Sequence, residues 1–252
     1  MFDDAELTDD KFLCGRLSLL QPAKGYRAAT DPVLLAAACP AEAGESVLDL
    51  GCGAGAAALC LGHRVPGLLL AGLELQPAYA DLARRNAFRN GIPLEVHEGD
   101  LARMPKALRR DFDHVIANPP YYHAGGSPSP VAARARAMQV ETPLSDWVAA
   151  ATRRLRPGGW LTLICGADGL PEVLAALPPK LGSAAVLPLA AREGRPALRV
   201  IVQARKGGRA PFRLLAPLVI HQGLAHDGDR ESYTAAANAV LRDGADLLAS
   251  FR

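Results

Sequence analysis

Short apolar runs alternate along the chain with stretches whose apolar residues recur at helical spacing. Strands are predicted at Ser46–Leu50, Leu68–Glu74, Leu94–His97, Asp113–Ala117, Trp160–Cys165 and Leu198–Ala204. Between them, GAAALCLGHRV, PAYADLARRNAFRNG and PLSDWVAAATRRLRPGG read as helices. In the second, Pro77 suits the first turn and Asn90-Gly91 the closing cap; in the third, Ser145 or Asp146 can open the helix and RPGG ends it. Upstream, Asp31 as N-cap and Pro32 at the first helical position place a helix before the first strand. Strands that alternate with helices in this way predict a parallel sheet covered on both faces.

Composition narrows the picture. A chain of 252 residues, half of them apolar, can bury one sizeable core. Its five cysteines, Cys14, Cys39, Cys52, Cys60 and Cys165, form no C-x-x-C pair and have no histidine at ligand spacing, so neither a metal site nor a disulfide framework is expected. The acidic start MFDDAELTDD lacks a signal peptide's basic and apolar regions, and no apolar run approaches the roughly 20 residues that span a bilayer. A cytoplasmic protein without membrane contact is expected. Net charge is only +2, but Ala191 to Arg213 carries seven Lys/Arg against one Glu. That segment is either a face for a phosphate backbone or a solvated surface.

Two motifs carry chemistry. VLDLGCGAGAAAL sets Gly51, Gly53 and Gly55 between a predicted strand and helix, where missing side chains let the backbone approach a ligand. Glu74 ends the next strand, in position to accept from ribose hydroxyls, and Asp100 follows the third, where it can accept from an adenine amino group. Because Gly51, Gly53 and Ala56 also fit a lenient dinucleotide pattern, an NAD-dependent oxidoreductase is a rival. The second motif is ANPPYYH, Ala117 to His123. Consecutive prolines exclude a helix interior and a central strand, so a rigid turn begins where the fourth strand ends. Two acceptors, the Asn118 side-chain oxygen and the Pro119 carbonyl, can take both hydrogens of a planar amino group, and Tyr121 offers a face for stacking. Tyr122 is open between substrate wall and core, while His123, Arg134 and Arg136 are weaker candidates for phosphate contact.

Asp49 before the first glycine, the G-x-G-x-G spacing, Asp100 and Asn-Pro-Pro-Tyr together resemble S-adenosylmethionine-dependent methyltransferases of the Rossmann-like class, from about Ala29 to Arg205. The resemblance implies a class I methyltransferase fold, α/β, with a seven-stranded, mostly parallel sheet and helices on both faces. It also implies S-adenosyl-L-methionine as cofactor, with Asp49, Gly51, Gly53, Gly55 and Glu74 at its methionine and ribose parts, Asp100 at its adenine and Asn118 beside it. Asn118, Pro119 and Tyr121 would be catalytic. The flanks GYRAATDPVLLAAA and APLVIHQGLAHDGDRESYTAAANAVL look like those of the bacterial tRNA adenine-N6 methyltransferase family, which implies a tRNA partner. Guanine N2 in ribosomal RNA, glutamine in a protein and a non-catalytic RNA adaptor are the alternatives. The division expected is an arm over residues 1–28, a core over 29–206 and a C-terminal extension over 207–252.

Overall fold

The computed structural model describes residues 1–120, 142–223 and 232–252. Its central sheet contains β3 (Ser46–Leu50), β4 (Leu69–Glu74), β5 (Leu94–Glu98), β6 (Phe112–Ala117), β7 (Leu155–Gly166), β8 (Leu181–Arg192) and β9 (Ala197–Lys206). They lie in the order β8-β9-β7-β6-β3-β4-β5, and β9 alone among these seven runs antiparallel to its neighbours. This is the expected class I arrangement, enlarged to nine strands by two short ones, β10 (Arg213–Leu214) and β11 (Leu218–His221), which line the outer edge of β8. Between their pairings lie Leu187 and Pro188, and Pro188 has no N–H to offer a further strand.

Period-two alternation splits the core into two layers. Val47, Ile116, Ile164 and Ile201 face one side, with α1 (Asp31–Ala38), α2 (Ala56–Arg64) and part of α6 (Ala235–Leu241). Leu48, Leu50, Val115, Ala117, Leu161 and Val202 face the other, against α4 (Leu144–Arg154) and α5 (Leu170–Ala176). Helix α3 (Pro77–Asn90) begins at Pro77 and closes on Gly91 at φ +63, as its sequence predicts.

Several boundaries differ from expectation. Thr30, not Asp31, precedes α1, and the Asp31 carboxylate is paired with Arg199 rather than capping the helix. Pro143 precedes α4, and the Ser145 N–H donates to Glu172 instead. Arg156-Pro157-Gly158-Gly159 lies inside β7, at a register shift against β6 that the left-handed Gly158 accommodates.

Near the N-terminus, β1 (Leu7–Phe12) and β2 (Leu17–Pro22) form an antiparallel hairpin that sequence pattern did not predict. Two asparagines one turn apart on α3 pair with its free edge. Asn90 accepts from Ser18 N–H at 2.9 Å and donates to Ser18 O at 2.9 Å. Asn86 does the same at Leu20, at 2.7 and 3.0 Å, and also donates to Ala54 O of the glycine loop at 2.9 Å. Side-chain amides thus replace a missing strand partner, and the buried Asn86 ties the hairpin to that loop.

The basic segment has mostly internal employment. Arg192 donates to Gln222 O, and Lys206 to Thr152 O and Leu155 O. Arg213 donates to Phe251 O, and Arg205 bonds Gly158 O and stacks on Trp160. With Arg199 held by Asp31, only Arg195 and Arg209 of the seven lack such a role among the contacts described, so neither a general phosphate face nor a plainly solvated one describes the segment.

Candidate active site

The chain leaves β3, visits β4 and β5 on one side, then returns to β6 on the other, so β3 and β6 meet where the strand order reverses. Open α/β sheets present their ligand crevice at the carboxyl ends of strands at such a point. Here Leu50 pairs with Ala117, which sets Gly51 and Asn118 side by side at the mouth. A cavity of about 440 Å³ opens there, lined by Asp49, Gly51, Gly53, Glu74, Asp100, Asn118 and Pro119 among others. Gly55 is not among the lining residues; at φ +86 it precedes α2 and shapes the loop from behind.

Gly51 and Gly53 both take positive φ, and at Gly51 a side chain would also have no room. Gly51 sits at φ +68, and a Cβ there would come within 2.5 Å of the Trp147 ring. Gly53, at φ +54, faces the Tyr26 ring edge 4.0 Å from where a Cβ would stand.

The three carboxylates differ in character. Asp49 is buried and accepts one described bond, from Ala58 N–H at 3.2 Å. Burial, reinforced by the Glu74 charge and opposed by that N–H, pushes its carboxyl up to about 8. Glu74 accepts from Gly53 N–H and Gln76 N–H, both at 2.8 Å, one on each oxygen. Burial still raises its carboxyl, against the downward pull of these donors. An ionised carboxylate offers about four lone-pair sites, so Glu74 can hold the loop and accept further bonds from a ligand. Asp100 is exposed, lines the cavity and caps a short 3-10 turn, accepting from Ala102 N–H at 2.8 Å on Oδ1.

Asn118 is half-buried and Pro119 buried. Tyr121, together with Tyr122, His123, Arg134 and Arg136, lies outside the described residues. Gln21, Tyr26, Tyr79 and Trp147 are among the lining residues that the sequence did not single out. Tyr26 follows Gly25 in a segment singled out only as a flank, and the glycine offered the one local hint that its backbone has a ligand-side task.

The cavity fits a nucleoside-bearing cofactor such as S-adenosylmethionine: two glycines without Cβ on one wall, acidic acceptors at three strand ends, and a rigid acceptor turn opposite. Similarity to known proteins agrees. A family model described as methyltransferase small domain matches residues 29–175. A tRNA1(Val) (adenine(37)-N6)-methyltransferase of Dickeya chrysanthemi is 29% identical over 219 residues, 85% of each chain. One of Porphyromonas gingivalis (strain W83) is 31% identical over 176 residues, 65% of this chain and 68% of the relative. Among solved structures, a predicted O-methyltransferase of Agrobacterium tumefaciens superposes with a TM-score of 0.69 at 27% identity, covering 86% of this chain and 97% of that one.

Proposed function

Since the chain belongs to the methyltransferase small domain family, and is an S-adenosylmethionine-dependent N-methyltransferase, we propose that its acceptor is the N6 amino group of an adenine in tRNA, methylated in the cytoplasm. The observation that carries this reading is Asn118-Pro119 at the end of β6, beside Gly51 and facing the same cavity as Asp49 and Glu74. The names of the Dickeya and Porphyromonas relatives favour adenine and tRNA. The Agrobacterium neighbour is described as a predicted O-methyltransferase, but a hydroxyl has one hydrogen and does not need two fixed acceptors.

S-adenosylmethionine, when bound, supplies a methyl group already activated on a sulfonium. The protein's task is then positioning and charge stabilisation. Asn118 Oδ1 and the Pro119 carbonyl accept the two N–H bonds of the amino group, favouring the pyramidal nitrogen whose lone pair is no longer shared with the purine. Proline rigidity keeps the second acceptor aimed. Gly51 and Gly53 let the backbone close on the cofactor, Glu74 accepts from its ribose hydroxyls, Asp100 faces its adenine and Asp49 the cationic methionine end. Tyr121 is proposed to stack on the target base. Incubation with labelled cofactor and separate pools of tRNA, ribosomal RNA and protein tests the substrate class. Label in tRNA, with binding that weakens steeply with salt, is expected; label confined to ribosomal RNA or protein excludes it.

Asp49 makes cofactor binding proton-linked. Its carboxyl, pushed up to about 8, is mostly neutral at pH 7 until a cation arrives. Binding should therefore release close to one proton at about pH 6–7 and almost none above about pH 9, with affinity rising across that interval. Without ligand the same shift works the other way on stability: the contribution is complete below the unfolded value of 3.8 and is lost as pH rises through about 8. Calorimetry in buffers of different ionisation enthalpy measures the release. Asp49→Asn should abolish it, and a buffer-independent heat in the unaltered protein would exclude the linkage.

A further inference from the structure

Tyr26 lies between β2 and α1, and nothing in the reaction above uses its hydroxyl. Its backbone is held from two sides. Tyr79 O–H donates to Tyr26 O at 3.1 Å. Two residues on, the buried Gln21 amide accepts from Ala28 N–H at 2.7 Å and donates to Ala28 O at 3.1 Å. From this anchored segment the ring passes along Gly53, and its hydroxyl oxygen stands 3.5 Å from Asn118 Nδ2. Tyr26 thus bridges the glycine loop and the acceptor turn across the cavity mouth.

The two ends of an asparagine amide are opposite in character. If Nδ2 faced the substrate, a donor would oppose the N–H bonds of the amino group; only Oδ1 can accept one. The Tyr26 hydroxyl oxygen can accept from Nδ2, and that arrangement leaves Oδ1, on the other branch of the amide, for the amino group. We propose that Tyr26 is a positioning residue for methyl transfer: its hydroxyl oxygen accepts from Asn118 Nδ2 and holds Asn118 Oδ1 toward the acceptor amino group. This rests on the role given to Asn118 above. Burial, with the Asp31 and Asp49 charges nearby, pushes Tyr26 up to about 12, although 48% of the residue's surface is exposed. The group is a neutral phenol at working pH and its lone pairs remain available to Asn118. A contact of 3.5 Å is at the outer limit of hydrogen bonding, and catalytic bonds of this kind shorten once substrate is bound.

Tyr26→Phe keeps the ring beside Gly53 and removes one oxygen. It should lower kcat about tenfold while KM for tRNA and the calorimetric Kd for S-adenosylmethionine stay within about threefold, since the bond acts only on the reacting geometry. In an Asn118→Ala background the same change should cost less than about twofold, because the group it orients is gone. Unchanged kcat in Tyr26→Phe, an equal loss in both backgrounds, or a Kd weakened as much as kcat would each overturn the assignment. A large loss in Asn118→Ala with normal turnover in Tyr26→Phe removes Tyr26 alone; full activity of Asn118→Ala removes the Asn118 role and this one with it.

Discussion

Asn118→Ala should lower turnover by at least about a hundredfold while cofactor affinity stays within a few-fold, the signature of losing one preorganised group used mainly in the transition state. An exocyclic amine conjugated to a purine has little free lone pair in the ground state. Acceptors on its hydrogens strengthen as the nitrogen becomes pyramidal and positive, so their contribution appears in kcat rather than in KM. Because Asn118 follows Ala117, which pairs with Leu50 at 0% exposure on both residues, the turn is fixed by the core beneath it. Truncating the side chain should leave the fold intact. Single-turnover transfer with saturating tRNA measures the effect, and a loss below about fivefold in a folded variant would take Asn118 out of the reaction.

Glu74→Ala should weaken S-adenosylmethionine by about 1.5–3 kcal/mol, roughly 10- to 150-fold in Kd, the range for hydrogen bonds to a charged group. The local geometry makes this residue hard to replace. Gly53 N–H and Gln76 N–H each point at one carboxylate oxygen at 2.8 Å, so the variant loses ligand bonds and also leaves two backbone donors without an acceptor. Glu74→Gln should be nearly as damaging, since whichever way its amide turns, an N–H2 meets a backbone N–H. Calorimetry on folded variants decides it. Wild-type affinity in either one would exclude Glu74 from the cofactor site.

The half of the fold that positions the site was legible because its punctuation is local. Pro77 and Gly91 bracket α3, glycines separate β3 from α2, and β6 ends at Ala117, just before Asn118 and the two prolines. What was missed depends on residues far apart. β8, LGSAAVLPLAAR, is poor in strand formers and exists as a strand because β9 pairs along one edge and β10 and β11 along the other. The polar strand β1, LTDDKF, follows from its partner β2, whose own free edge is met by Asn86 and Asn90. The arginines after Ala191 look like a docking face until their carbonyl partners are known. Asp49, Glu74, Asp100 and Asn118 were visible as motif members, whereas Tyr26 reaches Asn118 across 92 positions of sequence, a distance no local pattern spans.

The most direct test of the whole account is the identity of the methylated atom. tRNA lacking the modification, treated with the purified protein and S-adenosylmethionine and digested to nucleosides, should yield N6-methyladenosine by mass spectrometry, and Asn118→Ala should abolish most of it. N2-methylguanosine, a ribose-methylated nucleoside, or no methylated tRNA nucleoside at all would contradict it.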